Sequence, residues 1–110
     1  MHRKQSTDPC GETIRVLGAL SDENRFRIVE LLARSDDLSC GAIGSALGLS
    51  PSLITHHLGV LESVGLIERR KNGFWTLNRL CRAKLSHHVE FLGALLETPD
   101  PATSQLARPD

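Results

Sequence analysis

The chain has no uninterrupted apolar run long enough to span a bilayer, and its N-terminus lacks the apolar core of a signal peptide. The expectation is a cytoplasmic protein that does not use a membrane. It also lacks a charge imbalance: 13 Lys and Arg stand against 13 Asp and Glu among 110 residues. A neutral total weakly opposes nucleic-acid binding. The three cysteines, Cys10, Cys40 and Cys81, are far apart and form no C-x-x-C pair. In a chain without targeting signals they are not a disulfide framework. No Ser/His/Asp or Cys/His set has supporting spacing and no glycine loop is built to cradle phosphates, so an enzyme is not expected.

What is present is ordinary in bulk and uneven in detail. A hydrophobic share of 40% and a charged share of 24% suit one globular domain. The cations are clustered: residues 66–84 hold Arg69, Arg70, Lys71, Arg79, Arg82 and Lys84 against Glu68. A local basic patch is the footprint that matters for nucleic acid.

The chain is organised around residues 39–65. Residues 39–49 read as a short helix stopped at Gly48, where glycine takes a positive φ easily. Ser50 is a favoured N-cap and Pro51 fits the first position of a second helix, which Gly65 stops. Two helices joined by a short glycine-containing turn suggest a helix-turn-helix unit. Ile54, His57, Leu58, Leu61 and Val64 line its inward face by spacing. Ser50, Ser52, Leu53, Thr55 and His56 lie elsewhere and are the candidate DNA-reading residues, although the helix carries no Lys or Arg. An ordinary amphipathic helix of a bundle would show the same stripe; the next segment decides between the two.

Residues 65–77 read as a β-hairpin with Asn72-Gly73 as its turn. Arg69, Arg70 and Lys71 lead into that turn, and with Asn72 they make a basic tip suited to phosphates. Alone, such a charge run would be a solvated surface. Directly after the helix pair it reads as a wing.

Before this unit, helices are expected over 9–20, started by Asp8-Pro9, and from Ser21, a plausible N-cap, through Leu32. Asp36 and Asp37 follow in a surface connection, where they could ligate a hard cation but are more commonly solvated. After the hairpin, residues 81–97 form a last helix. Its Leu85, His88, Leu92 and Leu95 stripe, with Ile14 and Leu17 on the first helix, has little domain left to cover it. A partner helix in a homodimer is the economical cover. Residues 1–8 are expected to be a disordered arm and 98–110 a disordered tail, flanking one domain over 9–97. The fold class is mainly α with a small β wing, in the order α-α-α-α-β-β-α.

The collinear stretches Leu17 to Ile28, Leu47-Gly48-Leu49-Ser50, His57 to Leu61, Gly65-Leu66-Ile67 and Asn72 to Trp75 resemble the ArsR/SmtB family of winged-helix transcriptional repressors. The resemblance covers about residues 14–96. It implies a homodimer pairing through the first and last helices, a double-stranded DNA operator with two-fold symmetry, and release by an inducer, in many members a metal ion. The family's metal ligands are mostly not carried over. The third-helix thiolate pair falls on Ser39 and Gly41, with Cys40 between them; the last-helix site falls on Arg82, Lys84, Leu95 and Thr98; the recognition-helix thiolates fall on Val60 and Val64. Cys10 and Cys40 remain as candidates for a soft metal or metalloid ion, or for a thiol oxidation switch. The alternative to a repressor is a winged-helix module that binds a protein partner, favoured by Leu53 and by the missing cations of residues 50–65.

Overall fold

The computed structural model describes residues 8–97. The expected tail over 98–110, and all of the arm but Asp8, lie outside them.

Local chemistry sets each helix. α1 (Pro9–Leu20) begins with Pro9 in its first turn, where a missing N–H is harmless. α2 (Glu23–Ala33) is capped by Asp22, whose carboxylate accepts from the Arg25 backbone N–H at 3.0 Å. The expected cap, Ser21, instead donates its hydroxyl to the Gly18 carbonyl at 2.7 Å and closes α1. The carboxylate is the stronger acceptor and takes the N-terminus of α2. α3 (Cys40–Leu47) starts under Ser39, which accepts from the Ala42 N–H at 3.1 Å. It ends at Gly48 with φ +69°, in the left-handed conformation that a side chain would oppose. α4 (Pro51–Ser63) starts under Ser50, which accepts from the Leu53 N–H at 3.3 Å.

The sheet has one strand more than the hairpin. β1 (Leu38–Ser39) pairs antiparallel with β3 (Trp75–Leu80), which pairs with β2 (Ile67–Asn72), in the order β1-β3-β2. Two residues are too few to show a period-2 pattern, so β1 left no trace in the sequence. The hairpin turn is also shifted by one residue. Asn72 faces Trp75 as the last pair, so the loop is Gly73-Phe74. Gly73 has φ +66°, and no non-glycine residue among those described has a positive φ. An Asn-Gly type I′ turn needs both positions positive; a two-residue loop with Gly first needs only one. α5 (Arg82–Gly93) stops short of the expected 97 and is followed by a 3₁₀ turn, Ala94–Leu96.

The apolar cluster of the core is built from aliphatic side chains. Val16 and Ala19 of α1, Ile28 and Leu32 of α2, Ile43 of α3, Ile54, Leu58 and Leu61 of α4, and Leu66, Ile67 and Leu80 of the hairpin form one buried cluster. Each large side chain removed from water contributes roughly 1.5–3 kcal/mol. The cluster fastens α4 and the base of the wing to the same interior, which fixes the outward face of α4 relative to the hairpin.

Candidate nucleic-acid interface

α4 separates into two faces as its spacing demands. Ile54, His57, Leu58 and Leu61 are buried, while Ser52, Leu53, Thr55 and His56 are exposed, as is the cap Ser50. His57 anchors the helix. Its Nδ1 lies 3.3 Å from the Arg25 guanidinium, which also donates to the Ala19 carbonyl at 2.6 Å, so α4 is tied to the α1–α2 junction. Burial pushes the His57 imidazole below its ordinary value; Asp22 opposes this and Arg25 reinforces it. A neutral ring accepting from Arg25 fits that balance.

The wing is less basic at its surface than its sequence. Side chains alternate across a strand, so Arg69 and Arg70 face opposite ways. Arg69 turns inward: its Nε donates to Asn78 Oδ1 at 3.1 Å and its guanidinium lies 3.6 Å from Glu62 and 3.9 Å from Cys40 Sγ. Arg70 turns outward onto Asp37 at 2.5 Å, and Arg79 joins the same carboxylate at 2.9 Å. These two guanidiniums, Arg79 first, hold the Asp37 carboxyl below its ordinary value. Asp37 is thus neither a cation ligand nor simply solvated. Lys71 and Asn72 are exposed, and Lys71 makes no ion pair among the described residues. The expected tip of three available cations is reduced to one, because the sheet's alternation and the nearby Asp37 engage the other two.

Asn78 was not singled out in the sequence. It is fully buried, and its amide donates to the Leu38 carbonyl at 3.0 Å and to Cys40 Sγ at 3.7 Å. With Arg69 it links β1, α3 and both hairpin strands. The signal for it was a polar residue in register with inward positions of β3. Phe74 and Trp75 were read only as part of the hairpin and of the family resemblance; they are large, apolar and exposed at the hairpin tip.

The apolar stripes expected at a dimer contact divide. Ile14, Leu17 and Leu95 are exposed, together with Val89 and Leu96. Leu85 and Leu92 are half-buried, Leu85 against the core. His88 does not belong to that surface. It is buried, with Nδ1 2.7 Å from the Thr13 hydroxyl, and joins α5 to α1 within one chain. Burial, then His87, pushes its imidazole down, so a neutral ring shares this hydrogen bond with the Thr13 hydroxyl.

Cys10 is exposed near the start of α1, and Cys40 and Cys81 are half-buried. Among the described residues, no three His, Cys, Asp or Glu side chains gather as a metal-ion site. Two N–H donors already aim at Cys40 Sγ, one of them cationic, so an added cation meets repulsion there. The residues around Cys40 therefore do not fit a metal ion within one chain. No helix among the described residues is long and apolar enough to cross a membrane.

Comparison with known proteins agrees with this geometry. A family model described as a helix-turn-helix domain matches residues 20–70. An ArsR-like transcriptional regulator from Rhodococcus sp. RHA1 superposes with a TM-score of 0.72 at 32% identity, covering 90% of this chain and 95% of that one. A homodimeric winged helix-turn-helix DNA-binding domain from Mycobacterium bovis superposes with a TM-score of 0.66 at 26% identity, covering 91% and 95%. The arsenical resistance operon repressor of Escherichia coli K12 is 37% identical over 67 residues, 61% of this chain and 57% of that protein. The chain spans about half the length of the first curated relatives it matches, 45–59%.

Proposed function

We propose, from the premise that this chain belongs to the ArsR family of winged helix-turn-helix transcriptional regulators, that it is a sequence-specific DNA-binding repressor working as a cytoplasmic homodimer. The family is one of regulators, not enzymes. The observation that carries the reading is the outward face of α4. Small hydroxyls and an imidazole stand free at its N-terminal end, on a helix whose other face is locked into the core. In this reading α4 enters the major groove. Ser50, Ser52, Thr55 and His56 meet phosphates and base edges, and Leu53 lies against a thymine methyl group. Lys71 and Asn72 of the wing meet the backbone. Arg70 contributes when a phosphate replaces Asp37; Arg69, held inside, acts through the wing's shape.

The homodimer would form over Ile14, Leu17, Val89, Leu92 and Leu95. A two-fold protein reads a two-fold operator, with half-sites about one helical turn, ~34–36 Å, apart. As for release, Cys40 is the thiol best placed to affect the wing, through Arg69 and Asn78. Its surroundings favour chemistry on one sulfur over chelation. Cys10, exposed near the start of α1, is the second candidate.

The test is selection of bound duplexes by the full chain from a randomised library, followed by binding at several salt concentrations. A recovered two-fold sequence, with log affinity falling by about 0.9 per phosphate neutralised for each unit of log salt, supports the repressor. If no duplex is enriched and no salt slope appears, the partner-binding module takes its place.

A further inference from the structure

The wing ends in grease rather than charge. Phe74 is fully exposed, at 104% of its reference area, and Trp75 is 63% exposed. They are neighbours in sequence where the hairpin turns, Phe74 in the two-residue loop and Trp75 at the start of β3, so two exposed apolar side chains stand at the tip. Gly73, with φ +66°, makes the bend without bulk beside the ring. Behind this point the hairpin cations are mostly engaged, Arg69 inward and Arg70 and Arg79 on Asp37. An exposed apolar tip on a soluble domain calls for a partner that takes it out of water.

We propose that Phe74 is an apolar wedge that enters the minor groove of the bound duplex and partly unstacks one base step. This rests on the repressor reading above and adds to it a contact and a deformation. Three observations choose duplex DNA over another occupant. The hairpin is fixed to the reading helix, because Leu66 and Ile67 share the core with Leu58 and Leu61, so the tip is carried alongside whatever α4 binds. Lys71, exposed and three residues before Phe74, supplies a cation on the same hairpin, complementary to a polyanion. The tip is also slight: its loop is only Gly73 and Phe74, and Gly73 has no side chain, so a single ring leads the approach. Apolar side chains used this way unstack and kink the duplex, most easily at flexible pyrimidine–purine steps. The wing would then contribute sequence preference through deformability, at positions α4 does not touch.

The chain's one tryptophan, Trp75, is a built-in reporter beside the wedge. The experiment uses the full chain and a duplex recovered by selection, with 2-aminopurine placed at successive flanking steps. Wild type should brighten the probe at one step per half-site, and Trp75 emission should change on binding. Phe74→Ala should abolish the probe signal and weaken binding roughly tenfold, the scale of one lost base–aromatic contact. Phe74→Trp should restore both. Phe74→Lys separates a wedge from a backbone contact: a wedge predicts no probe signal and weaker binding.

If wild type leaves every probe dark and Phe74→Lys binds more tightly with a steeper salt slope, the tip rides on phosphates and the wedge is wrong. If Trp75 is shielded from acrylamide in DNA-free protein and Phe74→Ala changes the oligomeric state, the tip belongs between copies of the chain, which also overturns it. Failure to recover any duplex would be a failure of the repressor reading, visible before any Phe74 variant is made.

Discussion

Replacing Asp37 by Asn should turn this protein into a tighter and more salt-sensitive DNA binder. Asp37 occupies Arg70 at 2.5 Å and Arg79 at 2.9 Å, so one carboxylate holds two guanidiniums that a phosphate could use. Asparagine keeps the shape and removes the charge. Each arginine that then reaches a phosphate adds about 0.9 to the log–log salt slope, or about 1.8 for the pair in each subunit. Over a fourfold salt change, from about 50 to 200 mM, that is an extra loss of about 3.5-fold per contact and about twelvefold for two. The gain in affinity should appear at low salt and fade at high salt. Fluorescence anisotropy on one selected duplex, at fixed pH and several salt concentrations, reads both slope and intercept. The two arginines hold the Asp37 carboxyl below its ordinary value of 3.8. It is ionised throughout neutral pH, and the difference between variant and wild type should not vary from pH 6 to 8. If Asp37→Asn weakens binding with an unchanged slope, Asp37 aims the arginines at DNA instead of restraining them, and the reasoning fails.

Val89 is 58% exposed on α5, so Val89→Asp should leave the fold intact and give a monomer by sedimentation; a wild type that is already monomeric at micromolar concentration would refute the dimer. Burial holds His57 and His88 below the ordinary 6.5, so the unfolded chain takes up protons first. Their penalty is absent above that value and grows as pH falls below it, by up to about 1.4 kcal/mol per pH unit for each histidine. Denaturant melts from pH 8 to 5 should follow that trend, and a flat profile would contradict the neutral rings. Cys40→Ser should bind the operator normally and lose release by hydrogen peroxide; release unchanged from wild type would move attention to Cys10 and Cys81.

The helices were legible because their signals are local. Ser39, Ser50, Pro51 and Gly48 act on backbone groups within a few residues, and the structure uses each as its type suggests. The face of α4 was legible for the same reason, since period 3.6 alone divides Ile54 and Leu58 from Ser52 and Thr55. What could not be read was set by residues distant in the chain. Arg69 was read as part of a basic tip, and its turn inward depends on Asn78 and Glu62. Asp37 was read with its neighbour Asp36, and its partners lie 33 and 42 positions away. His88 had the spacing of a dimer stripe, and only the approach of α1 brings Thr13 to it. The family resemblance could not supply these contacts, because Thr13, Asp37, Glu62, Arg69, Asn78 and His88 lie outside the stretches that carry it.

The buried amide of Asn78 has a kinematic consequence. Through Leu38, Cys40 and Arg69 it touches β1, α3 and β2, while itself belonging to β3. The shared core fastens α4 to the same group. The base of the wing and the reading helix therefore share one interior within a single chain. What remains for tuning an encounter with a two-fold target is the distance and tilt between two copies, which the α1 and α5 surfaces would set.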